Sequence, residues 1–167
     1  MSNVPAVDPH VLEPGHAPTP FTAAEIRAAN PVGLTIRLRV EVAGEGAWTR
    51  VTRTVEADED GASRVSQRIE DDGAVSEAQA SRATWLELQA HASFPAVDTA
   101  IDEVTLDTPM GSLDCLRYTV TDGDAVDTFW FARSIPGMPV RTERAEGGRV
   151  VQTVAMLSKA VEAVETG

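Results

Sequence analysis

GSLDCLRYTVTDGDAVDTFWFARSIPGMPV, residues 111–140, holds two strand-like runs that meet at an Asp-Gly turn, and it carries two of the four phenylalanines, one of the three tryptophans and the only tyrosine. Asp-Gly between alternating apolar runs is a strong short-range hairpin signal. With Asp122 and Gly123 as a two-residue turn, Leu116 falls opposite Phe129 and Val120 opposite Ala125 on one face, while Cys115 and Trp130 share the other. Bulky apolar groups on both faces need cover on both, so this pair is expected mid-sheet, beneath a helix or a fold-over.

Working outward, turn signals recur about every ten residues, which points to antiparallel neighbours throughout. After the hairpin come strands at 138–145 and 149–157, divided by Gly147 and Gly148, and before it a strand at 99–106. Pro136 and Gly137, within the PGMPV run, read as a sheet corner that could also edge an apolar pocket. Further upstream, Leu34, Ile36, Leu38, Val40 and Val42 alternate with Thr35, Arg37, Arg39 and Glu41, the period of a strand with one wet face. Runs 48–57 and 62–70 flank a turn near Asp60. That turn sets Val51 opposite Ile69 and Val55 opposite Val65, with Glu56 by Arg64 and Arg50 by Glu70 on the opposite face. Arg37, Arg39, Arg50, Arg64 and Arg68 then line one face, which reads as a local anion or phosphate site or, with Thr and Glu interleaved among them, as the mixed ladder of a solvated sheet. A weaker strand is expected at 74–80.

Two helices announce themselves by capping boxes. Thr22 and Glu25, with Phe21 and Ile26 as the staple, start a helix over 21–30 that Pro31 ends. Thr84 and Glu87 start another over 83–94, with Trp85, Leu88 and Ala92 on one stripe. It is expected to cover the side carrying Cys115 and Trp130, or to fill the hollow of a curved sheet. Residues 1–20 contain half of the ten prolines and two of the three histidines, the composition of an extended arm or a surface strap. Asp8, His10, Glu13 and His16 lie within it at a spacing that fits no standard metal site.

The totals exclude whole classes of function. With 26 acidic against 14 basic residues, the net charge of −12 repels phosphate backbones and anionic membrane surfaces. One cysteine, Cys115, excludes an intramolecular disulfide and a cysteine-only zinc site, and implies a reducing compartment. No apolar run approaches the roughly 20 residues of a membrane helix, and no basic residue precedes Arg27 to start a secretory leader, so a cytoplasmic location is expected. Cys115, His91 and Glu87 are the one nucleophile, base and acid set in the ordered chain, but a thiol inside an apolar strand has nothing to lower its pKa. The acidic turns at Asp58, Asp60 and Gly61 and at Asp122, Asp124 and Asp127 lack the closing ligands of a calcium loop, and no phosphate loop, dinucleotide fingerprint or serine elbow occurs.

A short helix, a strand meander, an inserted helix and a second meander make the layout of 34–157 similar to the half-barrel carriers of the bacterial lipoprotein-sorting type, LolA and LppX among them. The pieces DCLRYTV, FWFA and PGMPV resemble segments of uncharacterised bacterial families. The resemblance implies a curved sheet closing on helices around a pocket for acyl chains.

These readings specify an α+β fold: a single curved antiparallel sheet of eight or nine strands, half-barrel-like, packed on the inserted helix with a short N-terminal helix on its rim. Residues 1–20 are a flexible proline-rich arm, 21–157 the curved-sheet domain and 158–167 a fraying tail. The function expected is that of a non-enzymatic binding module, without cofactor or metal, whose apolar hollow takes a lipid-like or small apolar molecule. Its lining is expected to include Trp85, Leu88, Phe129, Trp130, Phe131 and Met138. The alternative is an acidic protein-interaction module that binds a partner or itself through a sheet edge or the arm, with Trp48 as exposed anchor.

Overall fold

Alternating apolar residues and closely spaced turns leave this chain little choice but a meander, and the computed structural model, which describes residues 8–161, shows one. Helix α1 (Ala23–Ala29) leads into β1 (Leu34–Val42), β2 (Gly46–Ala57), β3 (Gly61–Ile69) and β4 (Gln79–Thr84). Helix α2 (Trp85–Ala90) and a short 3₁₀ turn then precede β5 (Thr99–Thr108), β6 (Gly111–Asp122), β7 (Ala125–Ala132), β8 (Arg141–Glu146) and β9 (Arg149–Val161). The nine strands form one antiparallel sheet in the order β4-β3-β2-β1-β9-β8-β7-β6-β5. The two meanders therefore join where the first strand pairs with the last.

The sheet is strongly curved. Five strand spacings of about 4.8 Å would separate β3 from β7 by about 24 Å in a flat sheet. Yet Ala62 of β3 packs in one cluster with Phe131 of β7 and Tyr118 of β6, beneath Phe21, Ile26, Trp85 and Ala92 from the helical segments. All four phenylalanines and the tyrosine meet there: Phe94 stacks on Phe129 at 5.1 Å between ring centroids, and Tyr118 and Phe21 stand edge-on to Phe131 at 5.3 and 6.3 Å. A second cluster gathers Leu34, Ile36 and Leu38 with Cys115, Ala132, Val140 and Met156.

Several expectations need correction. The β6–β7 turn consists of Gly123 and Asp124, so Leu116 pairs with Phe131, Tyr118 with Phe129 and Val120 with Asp127. Gly123 alone takes positive φ, 61°, which spares an aspartate the left-handed region that an Asp-Gly turn would demand. The slip is two residues, so each side chain keeps its face. Helix α2 covers the face of Tyr118, Phe129 and Phe131, not that of Cys115 and Trp130.

In β2 a bulge at Val55 shifts the register, so Arg64 faces Thr54 and Arg50 faces Arg68 rather than the expected glutamates. Three residues, 43–45, join β1 to β2, and Arg37 and Arg39 fall opposite Val51 and Thr49, while Arg50 falls opposite Leu38. Cross-strand partners share a face, so the five-arginine row divides: Arg37 and Arg39 on one side, Arg50, Arg64 and Arg68 on the other. The strand expected at 74–80 forms instead at Gln79–Thr84, where Thr84 ends the strand and caps α2.

The arm is fastened over its described part. Tyr118 donates to the Pro18 carbonyl at 2.6 Å, Gln89 donates to the Pro9 carbonyl at 2.8 Å, and the Ala17 amide donates to the Phe94 carbonyl at 2.8 Å. Residues 1–7 of the expected arm, and 162–167 of the expected tail, lie outside the described residues. Residues 158–161 continue β9 along β1, since Ser158, Lys159, Ala160 and Val161 pair with Arg37, Ile36, Thr35 and Leu34.

Candidate functional site

The hollow of the curve is where side chains from distant parts of the sequence meet, and α2 is its roof. Both capping boxes form: Thr84 accepts from the Glu87 amide at 3.0 Å while Glu87 accepts from the Thr84 amide at 3.1 Å, and Thr22 and Glu25 do the same for α1. The glutamate at the α2 cap has its pKa lowered, first by the Thr84 backbone amide it accepts from and next by the Thr84 side chain. The β2–β3 turn holds α2 in place. The Trp85 indole donates to the Asp58 carbonyl at 2.8 Å, and the Trp85 amide donates to the Asp60 carbonyl at 3.2 Å. Asp58 accepts in turn from Arg82 at 2.7 and 2.9 Å and from the Asp60 and Gly61 amides. Arg82, and after it those amides, hold its carboxyl below the usual carboxylate range.

Two buried amides fix the remaining walls. Gln89 accepts from the Ala23 amide at 2.9 Å and donates to Thr19 and Pro9, tying α2 to α1 and to the arm. Asn30, at the end of α1, donates to the Ile26 carbonyl at 2.6 Å and the Pro136 carbonyl at 3.1 Å. It thereby pins the 135–139 corner across the hollow, and Gly137, at φ 133°, lies against it.

A cavity of about 550 Å³ remains, within the size range of small-molecule sites. Its floor is Phe129 and Phe131, its roof Leu88, His91 and Ala92, one wall Met138 and Pro139, and the other Ala62 and Arg64 of β3 with Ser81–Ala83 of β4. Of the residues expected in the lining, Leu88, Phe129, Phe131 and Met138 come together here. Trp85 lies outside it, buried in the core beside Phe131 with its indole N–H already bonded. Trp130 points to the other face of the sheet, where the Arg141 guanidinium lies 5.6 Å from its ring centre.

Sequence reading missed Ile26, assigned only a staple role, and placed Arg64 in a five-arginine row read as a wet ladder or an anion site, not in the hollow. The alternation that pairs Arg64 with Ala62 on one face was the available signal. Arg64 is half-buried, and burial pulls its pKa down. A wider and more open groove of about 940 Å³ runs between α1 and α2, past Arg27, Glu59 and Leu86.

The other candidates are not assembled as chemistry. Cys115 is buried in the second cluster with its pKa raised, chiefly by burial, whereas His91 ends α2 on the surface and Glu87 is engaged at the helix start. The arm's charged residues serve to fasten it. His16 bonds Ser93 at 2.8 Å and Glu13 at 3.1 Å, while His10 bonds the Thr19 carbonyl at 2.7 Å. Among the described residues no three metal-ligating side chains cluster. Trp48, expected as an exposed anchor, is only 6% exposed and lies under the Arg68 guanidinium, 3.7 Å from its ring centre.

No protein-family profile and no curated protein matches the sequence. Solved structures match the fold. MucB aligns with a TM-score of 0.58 at 10% identity, over 84% of this chain and 57% of its own. A chain of the Pseudomonas aeruginosa MucA/MucB complex aligns at 0.57 and 12% identity, over 86% of this chain and 56% of its own. This chain thus spans a little over half the length of either. A protein of YmcC-like fold from Bacteroides fragilis, described as exported, aligns at 0.47 and 12% identity, over 78% of this chain and 97% of its own. The expectation of a cytoplasmic location is not upheld: the fold is shared with MucB, and nothing in that likeness places the chain in the cytoplasm. That expectation stood on the want of a membrane-length apolar run and of a basic residue before Arg27, and where a chain begins says nothing of its compartment. A single buried thiol suits either side of a membrane.

Proposed function

We propose that this protein is a non-enzymatic binding module that holds a small apolar or lipid-like molecule in the hollow between sheet and α2. The observation that carries this reading is the cavity itself, with an aromatic floor of Phe129 and Phe131, an aliphatic roof at Leu88 and a methionine wall at Met138. Apolar surface left uncovered by the protein's own side chains is surface that an apolar guest covers with gain, at about 25 cal/mol per Å² removed from water. Methionine at the rim adapts to guests of different outline.

The experiment is titration with the neutral dye Nile red, alongside native mass spectrometry of the purified protein. One dye should bind per chain with a blue-shifted emission, and Leu88→Trp, which fills the hollow, should abolish that shift while the fold is retained. A protein that leaves the dye's emission unchanged, or a Leu88→Trp variant that binds as well as the parent, overturns the reading.

A second reading is supported by two observations: one similar structure is a MucA/MucB complex, and β4 and β5 are open sheet edges able to receive an added strand. On that reading the chain binds a protein partner or a second copy. A strictly monomeric mass in solution removes self-association.

A further inference from the structure

We propose that the guest of the hollow is an anionic amphiphile, with its carboxylate or phosphate head on Arg64 and its apolar tail on Phe129, Phe131, Leu88 and Met138. The inference rests on the cavity reading above and adds the charge of the guest. Arg64 follows Ala62 by two residues on β3, so both side chains enter the same hollow. Among the described residues, Arg39, Arg68, Arg82, Arg117, Arg133, Arg141 and Arg144 each meet a carboxylate within 4.0 Å. Arg64 has neither an ion pair nor a hydrogen-bond acceptor among those residues.

Of the other charged groups at the cavity, Arg82 is held by Asp58 and Glu87 by the Thr84 cap. Desolvating a guanidinium without a partner is unfavourable, and an arriving anion removes that cost while accepting two parallel N–H bonds. Net charge argues for the tail as well as the head. A protein of charge −12 repels anions at long range, so a lone guanidinium captures one efficiently only when apolar contact adds to the attraction.

The test compares palmitate with hexadecanol, which shares its chain but lacks the charge, as displacers of Nile red below their aggregation limits, with inorganic phosphate as a third probe. Palmitate should compete about tenfold or more better than hexadecanol, a preference that Arg64→Met abolishes and Arg64→Lys keeps in part. Hexadecanol should bind Arg64→Met at least as well as the parent, which also shows that the variant is folded. Equal competition by palmitate and hexadecanol, or a preference that survives Arg64→Met, overturns the charge assignment and leaves the apolar cavity standing. Failure of both to displace bound dye overturns the two together. Displacement by inorganic phosphate as effective as that by palmitate overturns the amphiphile in favour of a simple anion site.

Discussion

Tyr118 shows how one side chain joins the arm to the sheet. Its ring lies in the aromatic cluster and its hydroxyl donates to the Pro18 carbonyl at 2.6 Å, a bond that only the protonated phenol can make. Burial pushes its pKa up to about 12. A folded-state pKa above that of the unfolded chain, about 10, means that the proton stabilises the fold, fully below the unfolded value and progressively less as pH rises toward the folded one. Since this is the only tyrosine, phenolate absorbance reads it without interference. The phenolate signal is expected with a midpoint near 12, accompanied by loss of the arm's protection from amide exchange. A midpoint near 10 with the fold intact would show that the phenol is not buried beneath the arm in solution. The residue is legible in sequence as aromatic core. Its partner is not, because a carbonyl a hundred positions away leaves no mark on periodicity.

At the scale of elements, the sequence speaks where the signal is local. Thr22 with Glu25 and Thr84 with Glu87 cap their helices as read, and Leu34 to Val40 bury alternate side chains as their period requires. Register was less legible, because Gly123 could serve either as the second residue of an Asp-Gly turn or as the first of a Gly-Asp turn, and because the bulge at Val55 has no sequence signature. The position of β4 was missed since QASRAT carries no apolar alternation: it pairs as an edge through its backbone and the Arg82 bond to Ser63. Four of the cavity's lining residues were legible as apolar mass, whereas for Arg64 the alternation gave a shared face with Ala62 but only the true β2–β3 register shows that this face is the inner one. A close approach makes the β3–β4 pairing testable. A Cβ on Gly61 would run into the Ala83 carbonyl oxygen and lie 2.8 Å from the Thr84 Cα, both backbone atoms that cannot swing aside. Gly61→Ala should therefore cost about 1–3 kcal/mol in denaturant unfolding by forcing β4 and the start of α2 outward. An unchanged midpoint would mean that β4 does not lie against Gly61.

The whole molecule is held together at a seam. The meander β1–β4 and the meander β5–β9 each consist of strands adjacent in sequence, and within the sheet they touch only where β1 pairs with β9, from Val42 opposite Gln152 to Leu34 opposite Val161. The helices and the arm close the hollow across both halves, so neither meander has a covered inner face without the other. Pairing the first strand with the last closes a loop of more than a hundred residues, an entropic cost met before the contacts that reward it, so slow folding is expected. Cooperative unfolding follows from the same arrangement. Trp48 and Trp85 belong to the first half and Trp130 and Tyr118 to the second, so in a Trp130→Phe background tryptophan fluorescence and tyrosine absorbance report one half each and should give coincident transitions. Met156 sits at the seam opposite Leu38 and is 1% exposed, in a cluster drawn from both halves. Met156→Ala should cost about 2–5 kcal/mol and lower the two transitions together. If the tryptophan transition moves while the tyrosine transition stays, the halves are separate folding units and the shared hollow cannot be what stabilises them.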